Sequence, residues 1–142
     1  MAAPAVTDVR DRIAARLSTI PKLRGHGYVP GQFSPPAAIV GLPRIAYDET
    51  FGRGTDRHTY TVWVVVARQT DRTSEQQVAA YLSATGEQSV KAALRADKTL
   101  GGAVSDLHVV RGEPVDFRFG EAGQEQVYVG AEFEVVALAE GK

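Results

Sequence analysis

Residues Arg57–Arg68 alternate almost without interruption. Thr59, Thr61, Trp63 and Val65 fall on one side; His58, Tyr60, Val62, Val64 and Val66 fall on the other. A period of two belongs to a strand, because successive side chains leave the pleated backbone on opposite faces. The β-branched and aromatic residues that fill it suit that surface. The C-terminal end is apolar on both sides, which predicts cover on both faces there. Trp63, mid-strand, is expected to anchor the sheet to a helix.

Gln126–Leu138 alternates over its whole length as well. Val127, Val129, Ala131, Phe133, Val135 and Ala137 oppose Tyr128, Glu132 and Glu134. Shorter extended segments are expected at Ala37–Leu42, between Pro36 and Pro43, at Arg44–Thr50, at Asp106–Arg111 and at Pro114–Phe119. Gly120–Gly123 reads as a hairpin tip. Leu100-Gly-Gly-Ala reads as a tight turn.

Helical spacing appears in three places. Val9, Ile13, Leu17 and Ile20 form one stripe of a helix over Thr7–Thr19 that Pro21 ends, with Arg10, Arg12 and Arg16 off the stripe and expected to be solvated. Asp71–Ala84 follows, with Thr73 and Gln76 in capping-box spacing. Ser89–Ala96 is a shorter helix with Val90, Ala93 and Leu94 inward. Lys22–Pro36, rich in Gly and Pro, reads as a connector whose Tyr28, Val29 and Phe33 pack on the core. Met1–Val6 shows no pattern and reads as a frayed end. The element order predicts one α+β domain over residues 1–142: a mixed, largely antiparallel sheet with helices packed on one side.

Composition narrows the chemistry. With 142 residues and no cysteine, disulfides, thiolate metal sites and thiol catalysis are excluded, and a reducing cytoplasm suits the chain. The longest apolar run, Val62–Ala67, is far short of the roughly 20 residues of a membrane helix. No signal peptide is expected, since no basic flank precedes an apolar core. The net charge of −1 lacks the basic excess of a dedicated nucleic-acid binder. The balance is uneven, however: residues 1–72 hold 10 Lys/Arg against 6 Asp/Glu, and residues 73–142 hold 6 against 11. Such a subunit can present unlike surfaces for head-to-tail contact.

No catalytic constellation emerges. His26, His58 and His108 lack the i, i+4 spacing of a helical metal site, and no metal or cofactor is expected. Gly52-Arg53-Gly54 precedes a strand and lacks the helix and Lys-Ser/Thr of a phosphate loop. It reads instead as a mobile hairpin tip over Phe51, Gly52, Arg53, Gly54 and Arg57, a usual location for protein contact. Glu132 and Glu134 share a strand face and read as its solvated half, not as a glycosidase pair. No G-x-S-x-G elbow occurs. Arg10, Arg12, Arg16, Lys22 and Arg24 lack the interleaved aromatics of a nucleic-acid stripe. The residue chemistry predicts an interaction protein and no enzyme.

Several segments together resemble the tail terminator proteins of long-tailed bacteriophages, the siphophage minor tail proteins that cap the tail tube. They are Val9-Arg-Asp-Arg-Ile-Ala-Ala-Arg-Leu-Ser-Thr-Ile, Pro35-Pro-Ala-Ala-Ile-Val-Gly-Leu-Pro, Thr50-Phe-Gly-Arg-Gly-Thr-Asp-Arg, Tyr81-Leu-Ser, Ser89-Val-Lys-Ala-Ala-Leu, Leu100-Gly-Gly-Ala-Val and Tyr128-Val-Gly-Ala-Glu-Phe. They keep the family's order over most of Val9–Val136, and the likeness is closest to terminators of actinobacterial phages. The resemblance implies a homo-hexameric ring in the virion tail that ends tube polymerisation. It also implies contacts with the major tail tube protein and with a head-completion or neck protein, with DNA passing through without specific binding. No membrane, cofactor or catalytic residue is implied. Within such a ring, Arg10 and Arg16 on the basic half and Glu132 and Glu134 on the acidic half are the expected ring-facing charges. A head-closure or neck adaptor of the same virion, or a small ligand-binding α+β domain, are the alternative readings.

Overall fold

The long alternating segment is the middle of a six-stranded sheet. The computed structural model describes residues 6–27, 36–47, 55–68, 72–119 and 126–140. In chain order these form α1 (Val6–Leu17), β1 (Arg24–His26), β2 (Ala37–Val40), β3 (Arg44–Ala46), β4 (Thr55–Arg68), α2 (Arg72–Leu82), α3 (Val90–Arg95), β5 (Asp106–Phe119) and β6 (Gln126–Glu140). The sheet order is β1-β2-β4-β6-β5, with β3 pairing β4 beyond the end of β2. Among the described residues, only the β1–β2 pair is parallel. The remaining pairs, β2–β4, β3–β4, β4–β6 and β5–β6, are antiparallel. The fold is α+β, with a mixed, mostly antiparallel sheet.

The two faces of β4 separate as the alternation predicts. Tyr60, Val62, Val64 and Val66 are buried with Ala131, Phe133, Val135 and Ala137 of β6 and Ala38 and Val40 of β2. Val9, Ile13 and Leu17 of α1, Val78 and Tyr81 of α2, and Val90 and Leu94 of α3 join the same core. All three helices therefore cover one face. At the C-terminal end of β4, Val65 is also buried on the opposite face, as are its partner Ala37 and nearby Ile39.

Trp63 does not reach a helix. It lies on the face opposite the core, half-buried, where its ring covers Gly41. A Cβ at Gly41 would stand 2.8 Å from the ring, so this contact requires glycine. Threonines 59 and 61 share that face and already mark it as the wetter side.

Other boundaries depart from the sequence reading. β1 lies inside the segment read as a connector; it runs beside α1 and pairs Arg24–His26 with Ala37–Ile39. β5 is one strand of 14 residues, not two, because a register shift between Val109 and Arg111 lets it continue along β6 through Pro114. Proline is tolerated there because β5 is an edge strand. β3 spans Arg44–Ala46 only. α1 begins at Val6 and α2 at Arg72, so Thr7 and Thr73 lie in first turns and not at caps. α3 agrees closely: Ser89 caps it, its hydroxyl accepting the Ala92 amide at 3.1 Å. Leu100, Gly101 and Gly102 turn with positive φ, as that tight turn predicts. Tyr28, Val29, Phe33 and Gly120–Gly123 lie outside the described residues.

Candidate functional site

The charged groups singled out in the sequence occupy quite different environments. Arg10 leaves α1 toward the end of β2, and its Nε and Nη2 both donate to the Val40 carbonyl, at 3.1 and 2.7 Å. Arg16 does the same to the Ala93 carbonyl in α3, at 3.2 and 2.9 Å. Arg12 donates to the Leu100 carbonyl at 2.7 Å and pairs with Asp8 at 2.9 Å. The helix face expected to be solvated is thus a set of ties from α1 to three other parts of the chain. A guanidinium on a long stem reaches such carbonyls while its charge stays partly in water.

Glu132 and Glu134 share the outer face of β6. Glu132 accepts the Trp63 indole N–H at 3.1 Å. Glu134 lies 3.6 Å from Arg44 and 3.8 Å from Arg111, both largely exposed. Glu113 stands directly across from Glu132. The result is a mixed-charge surface on which the Glu132 and Glu134 carboxylates already have partners within the chain.

Of the predicted hairpin tip, Phe51, Gly52, Arg53 and Gly54 lie outside the described residues. Arg57 is not in the tip: β4 begins at Thr55, so Arg57 is an exposed strand residue opposite Ala46. β3 and β4 do pair antiparallel, as a hairpin requires. Beside this hairpin two large apolar side chains stand in water, Leu42 and Tyr47, each more than 70% exposed. Sequence reading missed both, since a single apolar residue next to a proline or a turn carries no periodic signal.

The histidines do not converge. His26 is on β1, His58 on the core face of β4, and His108 on the opposite face of edge strand β5. His58 is buried, with Nδ1 3.2 Å from the Tyr60 hydroxyl. Burial pushes its pKa below the ordinary value, and the nearby Asp56 charge opposes this only in part. Burial likewise raises the Tyr60 phenol, with the Arg10 charge acting in the other direction. His108 contacts Asp106 at 2.8 Å. The Asp106 carboxyl is held below its usual range chiefly by the Leu107 amide, with His108 and Lys98 adding to the effect. Among the described residues, no group of three His, Asp or Glu is placed to hold a metal ion.

Two grooves flank the other side of the sheet. An apolar one of about 380 Å³ lies between α2 and the distal half of β5, lined by Val78, Leu82, Val115 and Val129. A larger one of about 450 Å³ lies between α3 and the proximal half of β5. Its rim is cationic, with Lys91, Arg95 and Lys98, and Leu107 and Val109 lie beneath. No protein-family model matches the chain, and no curated protein matches it.

Proposed function

We propose that this chain is a structural subunit of a phage tail: a tail terminator whose six copies close into a ring that caps the tail tube and receives the head-completion protein. The supporting observation is the placement of two unlike apolar surfaces on opposite sides of one sheet. Leu42 and Tyr47 stand beside the β3–β4 hairpin, and the Val78–Leu82–Val115 groove lies beyond β6. A ring is built from heterologous contacts, in which one patch meets a different patch of the next copy. Apolar burial supplies most of the affinity of such a contact, and charge sets its orientation. The near-neutral net charge suits a conduit that DNA traverses without being held.

The resemblance in ordered segments from Val9 to Val136 supplies the terminator role within this reading. Deleting the gene from its phage tests it. Tails of uncontrolled length that fail to join heads are expected; normal tails would refute the role. Leu42→Glu with Tyr47→Glu should abolish six-fold rings in negative stain while the circular dichroism spectrum stays native. Rings that persist in this double variant would move the contact elsewhere.

A further inference from the structure

Among the described residues strand β5 is an open edge, and its stretches are protected very differently. The distal half carries Arg111, Glu113, Asp116 and Arg118, all exposed, together with Pro114. Charges and proline on an edge are what prevents further strand pairing. Between Asp106 and Arg111, the proximal stretch Leu107–His108–Val109–Val110 has neither a permanent charge nor a proline, and Val110 at the register shift is 55% exposed. A bare apolar stretch of open edge invites another backbone, since its unpaired N–H and C=O groups alternate as a strand requires.

The charges lie beside this bare stretch, on the helix side. Lys91, Arg95 and Lys98 follow at intervals of four and three, one stripe of α3 and the turn after it, and they rim the groove above Leu107 and Val109. Among the described residues no hydrogen bond or ion pair holds any of the three side chains; Lys98 acts only at longer range, on Asp106. The alternation puts Asp106 and His108 on the opposite face of β5, but His108 also lines the groove at the strand edge, and its pairing at 2.8 Å occupies the Asp106 carboxylate. The groove is therefore a site of positive charge above an apolar floor and beside a free backbone edge.

We propose that the proximal edge of β5 and the Lys91–Arg95–Lys98 groove bind an extended acidic segment of a partner protein, added to the sheet as a seventh strand. Alternate side chains of an added strand point to the helix side at intervals of about 7 Å. Successive turns of α3 present cations at intervals of about 6 Å. Acidic residues at every second position would meet those cations, and the residues between them would point to the opposite face of the sheet. A nucleic acid matches the charges but has no groups to pair with the strand edge, and the groove offers no aromatic platform for bases. The site is distinct from the apolar surfaces assigned to ring contact and does not rest on that assignment.

The probe is a fluorescein-labelled octapeptide of alternating Glu and Thr, titrated against the full chain at low salt. Saturable anisotropy is expected, together with slowed amide exchange confined to residues 107–110. Lys91→Glu with Arg95→Glu should weaken binding at least tenfold, with circular dichroism confirming the fold. A peptide carrying two central prolines should bind at least tenfold more weakly, because it cannot complete the ladder. The exchange measurement uses the native chain, so it stands even if the variant unfolds. No saturable binding, or binding without protection of 107–110, would overturn the proposal. So would displacement of the peptide by an equal concentration of an eight-residue oligothymidylate. If the two substitutions instead dissociate a self-assembled form of the free chain, the edge belongs to a second copy and the partner assignment is wrong.

Discussion

Two sets of three cations, one on α1 and one on α3 with the turn after it, are used in opposite ways. Arg10, Arg12 and Arg16 of α1 all donate to main-chain carbonyls, of Val40, Leu100 and Ala93. Lys91, Arg95 and Lys98 of α3 and its following turn rim a groove and hold no partner within contact distance among the described residues. The first set fastens the fold; the second is left for something outside it. The difference is invisible in charge counts, which put the excess of positive charge in the half containing α1. What decides is whether a carbonyl lies within reach. The arginines of α1 meet the end of β2, the last turn of α3 and the turn after it, where main-chain acceptors await donors.

The arginine ties of α1 should dominate over the cations of α3 in stability. A hydrogen bond to a charged group contributes about 1.5–3 kcal/mol, and the partial exposure of these groups keeps the value low in that range. Arg10→Met with Arg16→Met, which keeps most of the stems, should therefore cost about 3–4 kcal/mol. Lys91→Met with Arg95→Met should change stability by less than about 0.5 kcal/mol, as expected for surface sites with no such feature. Urea unfolding followed by circular dichroism measures both. Equal losses in the two double variants would remove the distinction between fastening and free cations.

A second contrast sets Trp63 against the core face of its own strand. Trp63→Phe loses the indole N–H to Glu132 together with the outer ring atoms, Cζ3 and Cη2, that cover Gly41. The loss should be about 1.5–2 kcal/mol, low in the range for a hydrogen bond to a charged group because the pair is partly exposed. Truncating Tyr60, fully buried on the other face, belongs to the class of about 3–5 kcal/mol. A Trp63→Phe loss as large as that of Tyr60→Ala would mean that the outer face is a second core. In the native protein, tryptophan emission should lie between the buried and the water-exposed limits.

His58 adds a pH dependence to the core side. Its pKa is lowered in the folded protein, chiefly by burial, while in the unfolded chain it stays near 6.5. Between those values the unfolded state holds more protons, so stability rises with pH there. The contribution is complete above about pH 7 and is lost as pH falls through the unfolded value toward the folded one. Thermal midpoints should drop between pH 7.5 and 5.5, and His58→Gln should flatten that slope. An unchanged slope in the variant would assign the acid sensitivity to other groups.

Much of this architecture was legible in the residues. β4 and β6 announced themselves because a strand with one face in the core must alternate, and α3 was marked by the helical spacing of Val90, Ala93 and Leu94. β1 was hidden because three residues containing Gly25 cannot show a period, and only its parallel partner β2 defines it. β5 looked like two strands because Pro114 usually breaks pairing, but on an edge its missing N–H faces no partner. The arginines of α1 looked solvated because a helical stripe describes where Cα–Cβ bonds point and not how far a guanidinium can turn back. The cationic groove was illegible for a related reason. Lys91, Arg95 and Lys98 acquire meaning only when Leu107–Val110 arrives beside them from beyond the turn at Leu100–Gly102.

Glu134, one of the charges expected to face the ring, should matter least to stability. Its two ion pairs are long, at 3.6 and 3.8 Å, and their arginines are 85% and 67% exposed. Exposed pairs contribute about 0–1 kcal/mol, less where geometry is loose and salt screens them. Glu134→Gln should therefore shift stability by under about 0.5 kcal/mol, with any difference vanishing at high salt. Glu132→Gln provides the internal control, since the half-buried indole N–H of Trp63 points at its carboxylate, and its cost should be the larger of the two. If Glu134→Gln leaves stability intact but lowers the yield of assembled rings, this carboxylate works between copies despite its local arginines. A loss above 1 kcal/mol would instead place Glu134 with the fastening charges of α1, and the outer face of the sheet would offer no free carboxylate at that position for subunit contact.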